Sequence, residues 1–161
     1  MLRDPSLIPL SHQHHNGLAL CVLIDRALRA DGSAESVALQ ARRAVERYEI
    51  ELANHFEIEE QLLFPAVVAH LGRDQTVSVL IAALVAEHRQ IERIVETLRA
   101  GPTAAALTGL SSLLRAHIRR EERELFEETQ RRLPRETLDW LGGQIDARAV
   151  RVCLQPWPAA R

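Results

Sequence analysis

The feature that most constrains this chain is a ten-residue pattern that occurs twice. His55-Phe56-Glu57-Ile58-Glu59-Glu60-Gln61-Leu62-Leu63-Phe64 returns as His117-Ile118-Arg119-Arg120-Glu121-Glu122-Arg123-Glu124-Leu125-Phe126. Both copies read His, three residues, Glu-Glu, two residues, Leu-Phe. In an α-helix, residues four apart stand above one another on one face. Each His/Glu pair therefore offers an imidazole nitrogen and a carboxylate oxygen to one cation. A single such pair arises easily by chance as a solvated surface pair. Two pairs that share Glu-Glu and Leu-Phe at identical offsets mark a duplicated helical unit with a metal site.

The rest of the chain is helical in composition and punctuation. Of its residues 47% are hydrophobic and only 4% aromatic, and Ala, Leu, Glu and Arg, all strong helix formers, are abundant. Ser11 is a candidate cap for a first helix reaching about Arg29, before the turn signal Asp31-Gly32-Ser33. A second helix is expected from about Ala34 to Leu71, stopping at Gly72, with Pro65 kinking it or splitting off its last turns. Asp74 is placed to cap a third, which runs to about Arg99 before Gly101-Pro102. A fourth is expected to begin near Thr103 and end before Pro134. Arg135 to Leu141 suggests a short fifth helix broken by Gly142-Gly143, and Pro156 and Pro158 suggest an irregular tail. Trp140 and Trp157 would pack this C-terminal part onto the bundle or onto a second subunit, so a homodimer is an open arrangement. Long helices with short connections predict an all-α, up-down-up-down antiparallel four-helix bundle. Its expected span is about 8–133, with an extension over 134–161, in a single domain.

Charge and cysteine usage narrow the function. The formal net charge of -2 argues against a non-specific nucleic-acid binder, which would be basic. No apolar stretch approaches membrane-spanning length. The start of the chain lacks a basic-then-apolar leader, and Cys21 and Cys153 form no framework of disulfides. These features lead to the expectation of a cytoplasmic protein.

Helix levels then gather the remaining histidines. Glu59 lies 13 residues before Gly72 and His88 16 after it; His88 lies 13 before Gly101 and His117 16 after it. At about 1.5 Å of rise per residue, these side chains come to similar heights. The first helix offers His12, His14 and His15. His15 and His88 each have an aliphatic residue three positions on, which aligns those two. His12 shares a face with His15 and is a candidate for an additional ligand, as is Glu92 on the third helix. His14, about 100° around the helix from His15, is expected outside the ligand set. Glu60 and Glu122 are expected to be solvated neighbours, and Tyr48 to reach the site's surroundings or the core. The expected ligands are thus His15, His55, Glu59, His88, His117 and Glu121, with His12. Six N and O donors in one bundle core can hold two cations, with the glutamates free to bridge them. Imidazole plus carboxylate suits iron, manganese or zinc.

This constellation, together with Leu63-Phe64-Pro65, resembles the hemerythrin family, specifically its bacterial HHE cation-binding domains, over roughly residues 8–133. The resemblance implies a four-helix bundle with a non-haem di-iron centre that binds, senses or reacts with O2, peroxide or nitric oxide. Oxygen-carrying hemerythrins have five histidine ligands, two of them four apart on one helix. Here Glu92 stands four residues after His88, which sets this chain apart from simple oxygen carriage. A metal-responsive regulatory module and a metal-free interaction bundle are the other readings of the same helices.

Overall fold

The computed structural model describes residues 2–151, and among them the regular structure is all helical. Helix α1 spans Ile8–Ala30. Helix α2 occupies 34–71, from Ala34–Arg47 through to Phe64–Leu71, and α3 spans Gln75–Ala100. Helix α4 occupies 104–132, from Ala104–Arg120 through to Phe126–Arg132, and α5 spans Arg135–Arg148. Val152 to Arg161, and with them Cys153 and Trp157, lie outside the described residues.

The breaks between helices follow from local chemistry. Ser33, Asp74 and Thr103 each sit in extended backbone, and their side chains accept the amide of Ser36, Thr76 and Ala106 respectively. Each cap satisfies an amide that has no partner inside its helix. Ser11 is not a cap. A 3-10 turn over Pro5–Leu7, capped by Asp4, precedes α1 and starts it four residues earlier, leaving Ser11 inside the helix.

Cross-helix pairs show neighbouring helices running in opposite directions. Asn16 meets Glu51 and Gln13 meets His55 between α1 and α2. Glu49 meets Arg99 and Glu60 meets Arg89 between α2 and α3. Asp74 meets Arg132 and Glu87 meets Arg120 between α3 and α4. Asp25 meets Arg115 and Ser11 meets Glu122 between α1 and α4, closing the ring. The apolar faces bury two separate clusters. One is built on Leu20, Ile24, Phe56, Ile91 and Leu114, the other on Leu10, Leu63, Phe64, Leu84 and Phe126. Cys21 belongs to the first, and burial pushes its thiol up to about 11. Among the described residues no helix is long and apolar enough to cross a membrane.

Three wide turns interrupt α2 and α4. Tyr48–Leu52, Glu59–Leu63 and Glu121–Leu125 are π-helical. The amide of Phe64 donates to the carbonyl of Glu59, and that of Phe126 to Glu121, one residue further back than in an α-helix. Pro65 follows the second wide turn and α2 continues beyond it to Leu71. The expected break at Pro65 is absent because the widened turn absorbs the proline. Glu127 occupies the corresponding place in α4, beside an identical wide turn, so proline is not the cause. Such turns concentrate at functional sites.

Helix α5 also departs from expectation, running unbroken through Gly142-Gly143. It packs Leu138, Leu141 and Ile145 into the second cluster, while Trp140 stays half exposed. A Cβ on Gly142 would sit 3.0 Å from both Cα and Cβ of Ser6, whereas one on Gly143 would meet nothing within 4 Å. Gly142 is therefore a close-approach residue and Gly143 an ordinary helical glycine. We expect Gly143→Ala to stabilise the protein by up to about 1 kcal/mol through helix propensity. Gly142→Ala should instead destabilise it, by about 1–3 kcal/mol of overpacking less that gain. Urea denaturation of the two variants tests this, and equal gains would refute the close contact.

Candidate metal centre

Between the two apolar clusters lies a buried polar layer. His14, His55, Glu59, His88, His117 and Glu121 are all at most 3% exposed. They form two groups, His14/His55/Glu59/Glu121 and Glu59/His88/His117/Glu121, whose ligand atoms lie within 4.8 Å of one another in each. Both carboxylates belong to both groups. Glu59 turns Oε1 toward His55 Nε2 (3.2 Å) and Oε2 toward His88 Nε2 (3.4 Å). Glu121 Oε2 lies 3.1 Å from His14 Nε2 and 3.1 Å from His117 Nε2. His88 Nε2 and His117 Nε2 are 3.1 Å apart.

The structure thus brings together five of the residues expected from sequence: His55, Glu59, His88, His117 and Glu121. It leaves His15 and His12 outside, both exposed on α1, and puts His14 in their place. Seven positions of α1 are buried, and five of them, Leu10, His14, Gly17, Cys21 and Ile24, are spaced by four and three as on one helical face, with Gln13 and Leu20 beside that stripe. Gly17 hid that stripe in the sequence. A side chain there would press on Ile118 Cδ1 at 3.0 Å, so packing removed the apolar marker beside His14. Glu92 also stays out, paired with Arg89 on the surface. Tyr48 packs its ring edge-on against Phe56.

Each of these four buried histidines presents Nε2 inward and anchors Nδ1 outward. His14 Nδ1 bonds Glu122 (2.7 Å), His88 Nδ1 bonds Glu60 (2.8 Å), His117 Nδ1 bonds Glu87 (2.9 Å) and His55 Nδ1 bonds Gln13 (2.9 Å). Such outer partners fix the ring and its tautomer, as histidine ligands require. Glu60 and Glu122 are therefore not mere solvated neighbours, and the second glutamate of each repeat has its explanation. Each outer carboxylate is held in turn by an arginine: Arg3 on Glu122, Arg89 on Glu60 and Arg120 on Glu87. Ser11 adds a bond to Glu122 at 2.7 Å. The repeated phenylalanines have matching roles: Phe64 stacks near His88, and Phe126 near His14. The wide turns keep Glu59 and Phe64, and Glu121 and Phe126, on the inner face.

The electrostatics show what the layer needs. Burial alone would lower the histidine pKa values, but Glu121 and Glu122 raise His14 to about 9, and Glu121 and Glu87 raise His117 to about 10. Burial would raise Glu59 and Glu121, yet the facing histidines hold both below the usual carboxylate range, Glu121 furthest. Even so, His14 Nε2, His55 Nε2 and all four oxygens of Glu59 and Glu121 are buried without a hydrogen bond. Unpaired buried polar atoms are costly. Six of them aimed at one small volume, imidazole nitrogens and carboxylate oxygens, fit metal cations.

No curated protein and no solved structure matches the chain. A family model does, over residues 9–129, and its description is the hemerythrin HHE cation-binding domain. That span takes in all four inward histidines, both shared glutamates, α2 and α3 in full and nearly all of α1 and α4, and on this match the chain belongs to the hemerythrin HHE cation-binding family.

Proposed function

We propose that the protein holds two iron ions between its four helices and uses them to bind, sense or react with a small molecule such as O2, peroxide or nitric oxide. The observation that carries this reading is the sharing of Glu59 and Glu121 between two donor groups. His14 and His55 would hold one ion, His88 and His117 the other, and the two carboxylates would bridge them. Two nitrogens and two carboxylates per position suit iron or manganese, and tolerate zinc. Bound iron would supply Lewis acidity and electron exchange with the small molecule. The chain itself supplies the rest. The two apolar clusters exclude bulk water, Glu60, Glu87, Glu122 and Gln13 fix the imidazoles, and four donors per ion leave room for an exogenous one. The cysteines and the membrane-free helices suit a cytoplasmic setting.

The first experiment is metal content per chain and an absorption spectrum on protein purified in air. About two irons per chain with near-ultraviolet charge-transfer bands is the expected result, followed by measurable consumption of peroxide or nitric oxide. Failure to bind any metal after anaerobic iron loading would return the chain to a plain interaction bundle. One observation favours a second reading, an iron-responsive regulatory module. Gln13 joins His55 to the backbone of Val150 just beyond α5, so occupancy and the C-terminal part can be coupled. Limited proteolysis with and without iron separates the two, because only the regulatory reading requires cleavage after α5 to change.

A further inference from the structure

We propose that the two ion positions are unequal, and that Gln13 makes the His14/His55 position the exchangeable one. The inference rests on the two-ion reading above. Three of the four inward histidines lean on a carboxylate, and each of those carboxylates is tied to an arginine. The fourth, His55, leans on an amide. The exception is set within an otherwise duplicated frame. Gln13 precedes His14 as Glu87 precedes His88, and the two residues back His55 and His117 respectively.

A carboxylate on Nδ1 makes the opposite nitrogen a stronger donor, and removing such a partner lowers metal affinity about 10–100-fold. An amide oxygen keeps the hydrogen bond without the charge. The His14/His55 position should therefore bind its ion about tenfold more weakly, the lower end of that range.

The surroundings of Gln13 explain why it is an amide. Its nitrogen donates to the carbonyl of Val150 at 3.1 Å and to Asn54 Oδ1 at 3.4 Å. Asn54 also accepts the Val150 amide at 3.0 Å and donates to the Arg148 carbonyl at 3.2 Å. A carboxylate at position 13 would set an oxygen against the Val150 carbonyl. The end of α5 thus dictates a donor there, and the oxygen left for His55 is the weaker kind. Gln13 also lines a cavity of about 340 Å³ with His12, Asn16, Glu51 and Val150. The side chain that backs His55 is thus a wall of that cavity, which lies on the His55 side of the buried layer.

The test is chelator competition on the full-length zinc-loaded protein, counting ions per chain at each chelator concentration. We expect two ions leaving in two steps about tenfold apart. Gln13→Ala should move the first step to lower chelator and leave the second in place. Glu87→Gln, which gives His117 the same amide backing, should draw the second step toward the first. A general loosening of the fold would move both steps together in either variant, and melting of the metal-free forms provides the parallel check. A single step for both ions in the parent protein, or a Gln13→Ala shift of both steps alike, overturns the inequality. Fewer than two zinc ions at saturation would instead remove the two-ion reading on which it stands.

Discussion

Replacing Glu121 by glutamine will empty both ion positions rather than one. Its Oε2 stands 3.1 Å from His14 Nε2 and 3.1 Å from His117 Nε2, so one side chain belongs to both donor groups and, on the two-ion reading proposed above, serves both ions. Glutamine keeps the volume and the helix, but replaces an anionic donor by a neutral amide in both positions. Loss of outer partners alone weakens metal affinity about 10–100-fold, and loss of an inner anionic ligand should exceed about 100-fold at each position. Glu59→Gln should behave alike, because its two oxygens face His55 and His88. His55→Ala touches only one donor group and should leave one ion behind. Ion content per chain after gel filtration reads all three. Two ions retained by Glu121→Gln would show that the carboxylate is not shared, and the dinuclear arrangement would have to be given up.

Stripping the ions should leave a bundle whose stability depends steeply on alkaline pH. In the metal-free protein the buried carboxylates can be balanced only by protons on the imidazoles. Although burial opposes it, Glu121 with Glu122 raises His14 to about 9, and Glu121 with Glu87 raises His117 to about 10, from an ordinary value of 6.5. A group whose pKa is raised by folding stabilises the native state fully below its unfolded pKa. That contribution is lost as pH climbs through the folded value. The window is therefore about 6.5 to 10. Glu59 and Glu121 are lowered, so they act at the other end, where their contribution disappears as the carboxylates protonate. We expect the melting temperature of the metal-free protein to fall on the order of 10 °C across the alkaline window. The metal-loaded protein should change little, because there the cations hold the carboxylates. Thermal melts followed by circular dichroism at several pH values check this. A flat metal-free profile would refute the imidazolium–carboxylate balance.

Much of this architecture is legible along the chain because helices carry their own punctuation. Ser33, Asp74 and Thr103 announce helix starts, and Gly72 and Gly101 the ends, since each choice answers to backbone groups a few residues away. The repeated His-x3-Glu spacing is local in the same sense. Four residues bring His55 over Glu59 and His117 over Glu121 whatever surrounds them. The shared Leu-Phe is equally visible as a repeat, although its reason, a phenylalanine stacked near the histidine of a facing helix, is not.

Choosing among His12, His14 and His15 required knowing how α1 is rotated about its own axis. Periodicity fixes the angles between residues of one helix, but the rotation is decided by what the helix packs against. In α1 the deciding contact is Ile118 against Gly17, and the glycine that permits it erases the apolar cue that would have pointed to His14. The outer partners pose the same difficulty. Glu60 serves His88, Glu122 serves His14 and Glu87 serves His117, each across a helix–helix boundary where sequence distance carries no angle. The wide turns at Glu59–Leu63 and Glu121–Leu125 follow from packing too, since the residues in the turn are ordinary helix formers. The sequence by itself therefore determined the helices, their order and the paired donors within α2 and α4. Only the tertiary structure decided which histidine of α1 faces inward and which groups stand behind the four imidazoles, because those depend on contacts between helices that no local pattern encodes.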